Sequence, residues 1–161
     1  MDAAVHLTGP LADRDAWRAD RCSMAATLGV VHTRSAMLVV REAFYGARRF
    51  DDFVSRTGAS EPVVAARLRE LVGAGLLERE AYREPGQRTR QAYHLTERGA
   101  DLFPVVAALL QWGDRWLAED GPPLTMTHHG CGEPVAVEVR CAAGHVVPSD
   151  EVDVALARRA G

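Results

Sequence analysis

Several features are scarce in this 161-residue chain, and their scarcity narrows the classes of protein to consider. There is no lysine; all 19 basic residues are arginine, a bias that we attribute to GC-rich coding and that excludes no function by itself. Three cysteines, Cys22, Cys131 and Cys141, are too few to indicate a disulfide framework in a chain of this size. No apolar run approaches the roughly 20 residues of a membrane helix, so we expect no membrane partner.

The first residues also lack the features of a secretion signal. Residues 1–17 carry three aspartates and no basic start followed by an apolar stretch. A signal peptide needs both, so we expect a cytoplasmic protein. With 47% apolar and 25% charged residues, the composition is typical of a globular chain, here one domain plus an appendage.

The net charge of -3 gives no global argument for nucleic-acid binding, but the charge is unevenly distributed. Residues 34–98 hold twelve arginines against nine acidic residues, a balance of +3, so the remainder of the chain carries -6. Binding to phosphates requires local rather than total positive charge. Only the middle of the chain meets that requirement.

Apolar residues at helical spacing predict helices over residues 20–33, 35–45, 49–57 and 60–73. The fourth has the clearest start, because Ser60 suits an N-cap and Glu61 places a carboxylate near the helix dipole. Pro62 is tolerated in a first turn. The period then changes: residues 76–82 and 90–95 predict strands that flank a turn at 84–87.

One longer helix is predicted from Thr96 to about residue 120, with Pro104 in its first turns and a broad apolar face that includes Val105, Leu109, Trp112 and Trp116. Residues 121–161 predict a hairpin, with strands over 135–140 and 145–147, and then a short helix over 151–159. The predicted fold class is mainly α with a small β-hairpin wing, a winged helix-turn-helix, plus a C-terminal β-hairpin extension.

This order of elements points to double-stranded DNA as a partner, because one helix fits the major groove and the hairpin reaches the adjacent backbone. For any single arginine a solvated surface is the simpler interpretation, but three arginines at a Pro-Gly turn are harder to explain that way. The candidate DNA-binding residues are Arg48, Arg49, Ser60, Glu61, Val63, Arg67, Arg83, Gln87, Arg88 and Arg90.

Several phrases together resemble the HxlR-type winged helix regulators of bacteria, over roughly residues 22–113. The resemblance rests on the segments 39–42 (VVRE), 46–50 (GARRF), 66–71 (ARLREL), 75–79 (GLLER), 93–99 (YHLTERG) and 105–109 (VVAAL), followed by Trp112-Gly113. It implies a homodimer that places two wings on a pseudo-palindromic operator and responds to a chemical signal. The segments it implies are 1–34 and 97–120 for dimerisation, 35–96 for DNA binding and 121–161 as a zinc-ribbon-like tail.

Two departures from the family pattern affect the expected specificity. Where family members carry an aromatic residue before the second helix, this chain has residues 32–35 (HTRS), which leaves room either for a pocket or for repacking. Where they often carry Ser-Pro-Lys, it has Ser60-Glu61-Pro62-Val63, so a cation is missing at the start of the recognition helix. Affinity is then expected to depend on Arg67 and the wing.

Three further sites are weighed. A small-molecule effector is expected between the dimer helices, near Trp17, His32, Phe44 and Trp112. Cys22 aligns with a family cysteine that some members use as an oxidation sensor, and Arg18 and Arg21 would favour its thiolate, although a buried apolar role is the simpler interpretation. His129, Cys131, Cys141 and His145 could form a zinc site, with a degenerate ribbon without metal as the simpler alternative; no cofactor is otherwise expected.

The main prediction is a DNA-binding regulator tuned by a small molecule. Two alternatives stay open: a redox-switched regulator acting through Cys22, and a winged helix module that now serves protein interaction. His32, His94, Asp51 and Asp52 show no recognisable triad or metal spacing, so we predict no enzyme.

Overall fold

The computed structural model describes residues 5–16, 22–83, 85–86 and 88–157. The chain divides into two compact units, one formed by residues Ser23–Leu124 and the other by Met1–Cys22 together with Thr125–Gly161. The N-terminal segment therefore belongs with the C-terminal tail. The dimerisation roles assigned to residues 1–34 and 97–120 stay predictions.

Four helices open the larger unit, in the predicted order: α1 (Ser23–Val31), α2 (Arg34–Phe44), α3 (Phe50–Thr57) and α4 (Glu61–Gly73). Helix α2 begins at Arg34 because the Thr33 hydroxyl oxygen accepts a hydrogen bond from the amide of Ala36 at 3.1 Å, which satisfies a first-turn donor. Helix α3 ends at Gly58, whose φ of 65° is the left-handed conformation that glycine adopts most readily.

Two antiparallel strands, β2 (Leu77–Tyr82) and β3 (Arg90–Leu95), form the wing, which we define as residues 77–95. Their register pairs Leu77 with Leu95 at the base and Tyr82 with Arg90 toward the tip. The amide of Tyr93 donates to the carbonyl of Arg48 at 2.8 Å, so the turn before α3 is fastened to the wing. This bond holds the wing beside the helices.

The prediction of one helix after the wing is wrong: there are two, α5 (Glu97–Ala100) and α6 (Phe103–Trp116). Thr96 caps α5, since its hydroxyl oxygen accepts from the amide of Gly99 at 3.0 Å. Pro104 has no amide proton to donate back to Ala100, so the helix stops and restarts with Pro104 in the first turn of α6. Residues 117–120 are not helical.

The core of the larger unit lies where α2, α3, α4 and β2 meet. Phe53 is fully buried and packs edge-on against Tyr93 at the base of the wing, with ring centroids 6.1 Å apart. The other largest buried side chains are Val39, Val40, Val64, Leu68, Leu71 and Leu77. This shared core fixes the orientation of α4 relative to the wing.

The smaller unit pairs β1 (His6–Leu7) with β4 (Asp153–Val154) in a parallel arrangement. The predicted C-terminal hairpin is present in reduced form, as the isolated bridge Arg140–Val146 rather than continuous strands over 135–140 and 145–147. A second isolated bridge, Thr127–Pro134, precedes it. The helix predicted over 151–159 is wrong for its described part, which holds a short 3-10 turn, Ser149–Glu151, and β4. Leu11 is the one buried apolar side chain in the described part of this unit, so little packing is available to extend strands or a helix.

Within the described residues, no single helix is long and apolar enough to cross a membrane. Helices α1 and α2 meet those limits only when taken together, and they are bent by 81° at the break between them.

Candidate nucleic-acid interface

Helix α4 has one buried face and one exposed face. Val64, Leu68 and Leu71 are buried at helical spacing. At the start of the helix, Ser60, Glu61 and Val63 are exposed, and the Ser60 hydroxyl makes no capping hydrogen bond. The predicted recognition residues at this end, Ser60, Glu61 and Val63, are therefore accessible, and none of the three is a cation.

Arg67 lies beside the core stripe rather than on the exposed face. It follows Val64 by three residues and precedes Leu71 by four, a spacing that places it on the same side of the helix. Its side chain is 20% exposed, and its Nη1 lies 2.7 Å from Oε2 of Glu70. The charge of Arg67, on which affinity was expected to depend, is thus partly buried and already paired.

Arg69 is the cation that α4 presents to solvent. It is exposed, and its Nε donates to the carbonyl of Ala65 at 3.3 Å, which aligns the side chain along the helix. Arg69 is not among the DNA-binding residues predicted from the sequence. Helical spacing places it away from the buried Val64, Leu68 and Leu71, and that spacing is the signal that identifies it as exposed.

The two arginines before α3 have different surroundings. Arg48 is half-buried, and its Nη1 donates to the carbonyls of Ala43 and Ala47, both at 3.0 Å, so it closes the end of α2. Arg49 is exposed and its guanidinium lies 5.1 Å from the ring centroid of Tyr82. Arg48 thus holds the turn in place, while Arg49 is part of the outer surface.

The wing carries the remaining predicted cations. Arg83 and Arg88 are exposed on either side of the Pro-Gly turn, and Gln87 lies outside the described residues. Arg90 is exposed and its Nη1 donates to Oδ2 of Asp51 at 3.3 Å, an ion pair between the wing and α3. Arg88 makes no hydrogen bond or ion pair with any described residue.

Wing and α3 enclose a shallow cavity of about 350 Å³. Arg49, Arg90 and Tyr82 line it, together with Asp51. The structure therefore brings two predicted cations into one surface, and it adds one carboxylate that offsets part of their charge. Such a surface can contact a phosphate backbone if Arg90 exchanges Asp51 for a phosphate oxygen.

Comparison with known proteins identifies the family of this chain. The model of the HxlR-like helix-turn-helix family matches residues 30–121, more than half of the chain. The chain belongs to the HxlR-like helix-turn-helix family. The resemblance seen in the sequence is thereby confirmed, and the chain is a helix-turn-helix transcriptional regulator, a class of protein that binds DNA.

Relatives and solved structures agree with the HxlR assignment. Rv3095 of Mycobacterium tuberculosis, named as an HTH-type transcriptional regulator, is 42% identical over 112 residues, 69% of this chain and 70% of the relative. PA1607, studied by crystallography as a candidate transcription factor, has a TM-score of 0.75 and 32% identity, and covers 84% of this chain and 94% of its own. The redox regulator HypR in its oxidised form has a TM-score of 0.54 and 27% identity, covering 58% of this chain and 96% of its own.

In the HxlR-like unit, α3 and α4 form the helix-turn-helix and residues 77–95 form the wing, which confirms the predicted fold class. Of the predicted effector residues, Trp17 lies outside the described residues, and His32 is exposed after α1. Phe44 packs edge-on against Phe103, with centroids 5.5 Å apart, and Trp112 is 58% exposed. This pocket stays a prediction.

The cysteine sites also stay predictions. Cys22 is partly exposed just before α1, while Arg18 and Arg21 lie outside the described residues. In the tail, it is His128 rather than His129 that meets Cys131, with Nδ1 and Sγ 3.1 Å apart.

The backbone of Cys141 contacts His145 in a separate turn of the tail, since its amide donates to the carbonyl of His145 at 3.1 Å. No three His, Cys, Asp or Glu side chains of the described residues come close enough together to hold a metal ion. The arrangement of these described side chains does not fit a four-ligand zinc site.

Proposed function

We propose that the protein is a homodimeric regulator that binds a pseudo-palindromic operator through two copies of α4 and the wing. The observation that supports dimerisation is the exposure of α1. This helix is apolar around its whole circumference, yet residues 23–29 are all exposed, with Met24 at 71% and Leu28 at 51%. A helix of that composition is normally buried, so a second subunit is the natural cover.

Helix α6 extends the same argument. Val105, Leu109, Trp112 and Trp116 follow one side of the helix and are exposed, Trp116 at 62%. Such a stripe exceeds the scattered apolar residues of an ordinary monomer surface. Together, α1 and α6 provide an apolar surface that can contact the same surface of a second subunit related by a two-fold axis.

The spacing of the half-sites follows from the dimer. Dimeric helix-turn-helix proteins place their recognition helices about 34–36 Å apart, one turn of B-DNA, so the operator is expected to repeat at about that distance. A small-molecule effector would act by favouring one separation of the two α4 helices over another. Because α4 starts without a cation, the backbone contacts are assigned mainly to Arg49, Arg69 and the wing.

Two measurements test the assembly and the DNA contact. Sedimentation of the purified chain should give a dimer mass, and footprinting upstream of its gene should protect two half-sites. Binding should weaken with added salt, since displaced counterions make affinity salt-dependent. A monomer would contradict the dimer, and a chain that binds no upstream DNA at low salt would favour the protein-interaction alternative.

Redox control through Cys22 is a second candidate. HypR, to which this chain is similar, is named a redox regulator. Cys22 is partly exposed and free, so an oxidant can reach it. If this candidate is right, oxidant should change the operator affinity of the native protein and leave Cys22→Ser unaffected. Equal responses of the two proteins would rule it out, and Cys131→Ser serves as the matched control.

A further inference from the structure

A cavity of about 270 Å³ opens between α1, the residue before β2 and the α5–α6 junction. Val30 and Val31 of α1 form one apolar wall, and Leu76 and Leu102 form the opposite one. Val31 and Leu76 are themselves buried, so the floor of the cavity is part of the core. The predicted effector residues that the structure describes, His32, Phe44 and Trp112, do not line it.

Gly99 allows a close backbone approach beside this cavity. A Cβ at this position would collide with the carbonyl oxygen of Leu76. The absence of a side chain lets α5 approach the backbone before β2, and this approach brings Arg98 to the rim of the cavity.

Two side chains of opposite charge, Arg98 and Asp101, lie at the opening of the cavity. Arg98 and Asp101 both line the cavity, and neither makes an ion pair or a side-chain hydrogen bond with any described residue. Residues three apart in a helical turn face the same side, with Cβ atoms about 5–6 Å apart. The rim thus offers one donor fork and one carboxylate above an apolar floor.

We propose that this cavity binds a small zwitterion with an apolar side chain, of the α-amino-acid type. The ligand carboxylate would pair with Arg98, its ammonium with Asp101, and its side chain would lie against Val30, Leu76 and Leu102. A simple anion meets the repulsion of Asp101, and a simple cation meets that of Arg98, so a ligand with both charges fits best. The site deepens the effector control proposed above and takes its regulatory meaning from it.

The location of the cavity can couple ligand binding to DNA binding. Helix α1 carries the proposed subunit contact, and Leu76 lies directly before the first strand of the wing. A ligand between them contacts both parts, so its binding favours one arrangement of the subunit contact relative to the wing. Occupancy of the site is then expected to change operator affinity.

The probes separate the two charges. L-leucine has both, isocaproate keeps its carboxylate and side chain without the ammonium, and isoamylamine keeps the ammonium without the carboxylate. Binding is measured on the full-length protein without DNA, by calorimetry and by the rise in melting temperature that a ligand of the folded state produces. We expect L-leucine to bind, and each single-charge analogue to bind at least about tenfold more weakly, since each analogue loses one charge-assisted hydrogen bond.

The variants reverse the test from the protein side. Arg98→Gln and Asp101→Asn should each weaken L-leucine binding at least about tenfold. Glu97→Gln removes a neighbouring charge of α5, and Arg34→Gln removes an exposed arginine of α2; neither residue lines the cavity, so both should bind L-leucine as the native chain does. Melting curves without ligand show whether each variant folds.

The outcomes separate the site from the regulator. Equal binding of L-leucine and isocaproate, or folded rim variants that bind like the controls, would overturn the zwitterion site, as would a native chain that binds none of the probes. Operator binding by the dimer would still stand in each case. If L-leucine binds as expected but leaves operator affinity unchanged, the site is supported and its role as the effector site is refuted.

Discussion

Arg88 provides the sharpest test of how the wing contacts DNA. It is exposed at the turn of the wing and has no partner among the described residues, so its removal frees none of the carboxylates that the structure describes. Arg88→Ala should therefore remove one phosphate contact per subunit and change little else. This makes its effect easier to interpret than that of Arg90, whose removal would leave the exposed Asp51 facing the DNA.

The magnitude follows from counterion release. Each phosphate neutralised contributes about 0.9 to the slope of log affinity against log salt. In the proposed dimer two subunits lose one contact each, so its slope should fall by about 1.8. Between 50 and 200 mM salt the native dimer should then lose about twelvefold more affinity than the variant does.

Fluorescence anisotropy of a labelled operator duplex at several salt concentrations measures this slope. Arg34→Ala, an exposed arginine at the start of α2, is the matched control and should keep the native slope. A scrambled duplex should lose affinity with Arg88→Ala to a similar degree, because backbone contacts carry no sequence information. An unchanged slope, or a loss confined to one base position, would refute the assignment of Arg88 to the backbone.

Three other changes test the fold and the interface. Phe53→Ala should lower the free energy of unfolding by about 3–5 kcal/mol in urea denaturation. Val63→Ala, at an exposed position, should change it by less than about 0.5 kcal/mol, and equal effects of the two changes would contradict the placement of the core. Gly99→Ala should cost about 1–3 kcal/mol in the same assay, because its methyl meets backbone rather than a movable side chain; a neutral effect would refute the close approach to Leu76. Leu28→Glu should weaken the dimer at least about a hundredfold in sedimentation, since burying an unpaired charge costs several kcal/mol, and a dimer of native strength would exclude α1 from the interface.

Most of the larger unit could be predicted from local pattern. The Val64, Leu68 and Leu71 spacing located both α4 and its buried face, and the Pro-Gly turn between two alternating segments located the wing. The break before α6 could also have been inferred, because Pro104 cannot donate to the preceding turn. The sequence was instead interpreted as one helix with Pro104 in its first turns, and the chain forms two helices.

The smaller unit was predicted less well for a physical reason. Its alternating residues, such as Val137 and Val139, are exposed, so the period-two pattern has no apolar layer to pack against. The parallel pairing of β1 with β4 joins residues 6–7 to residues 153–154. No local signal in either segment specifies a partner at that distance in the chain.

The amino-acid sequence by itself determined the order of the elements, the start of α4, the wing and the family, because helix periodicity, capping and turn chemistry act over a few residues. Tertiary structure alone decided which predicted arginines are available to DNA. Arg90 meets Asp51 from 39 residues away, and Arg48 is taken up by the end of α2, whereas Arg88 is not engaged within the described residues. The partner of a long charged side chain depends on which surfaces the packed core brings together, and that core draws on α2, α3, α4 and β2 at once.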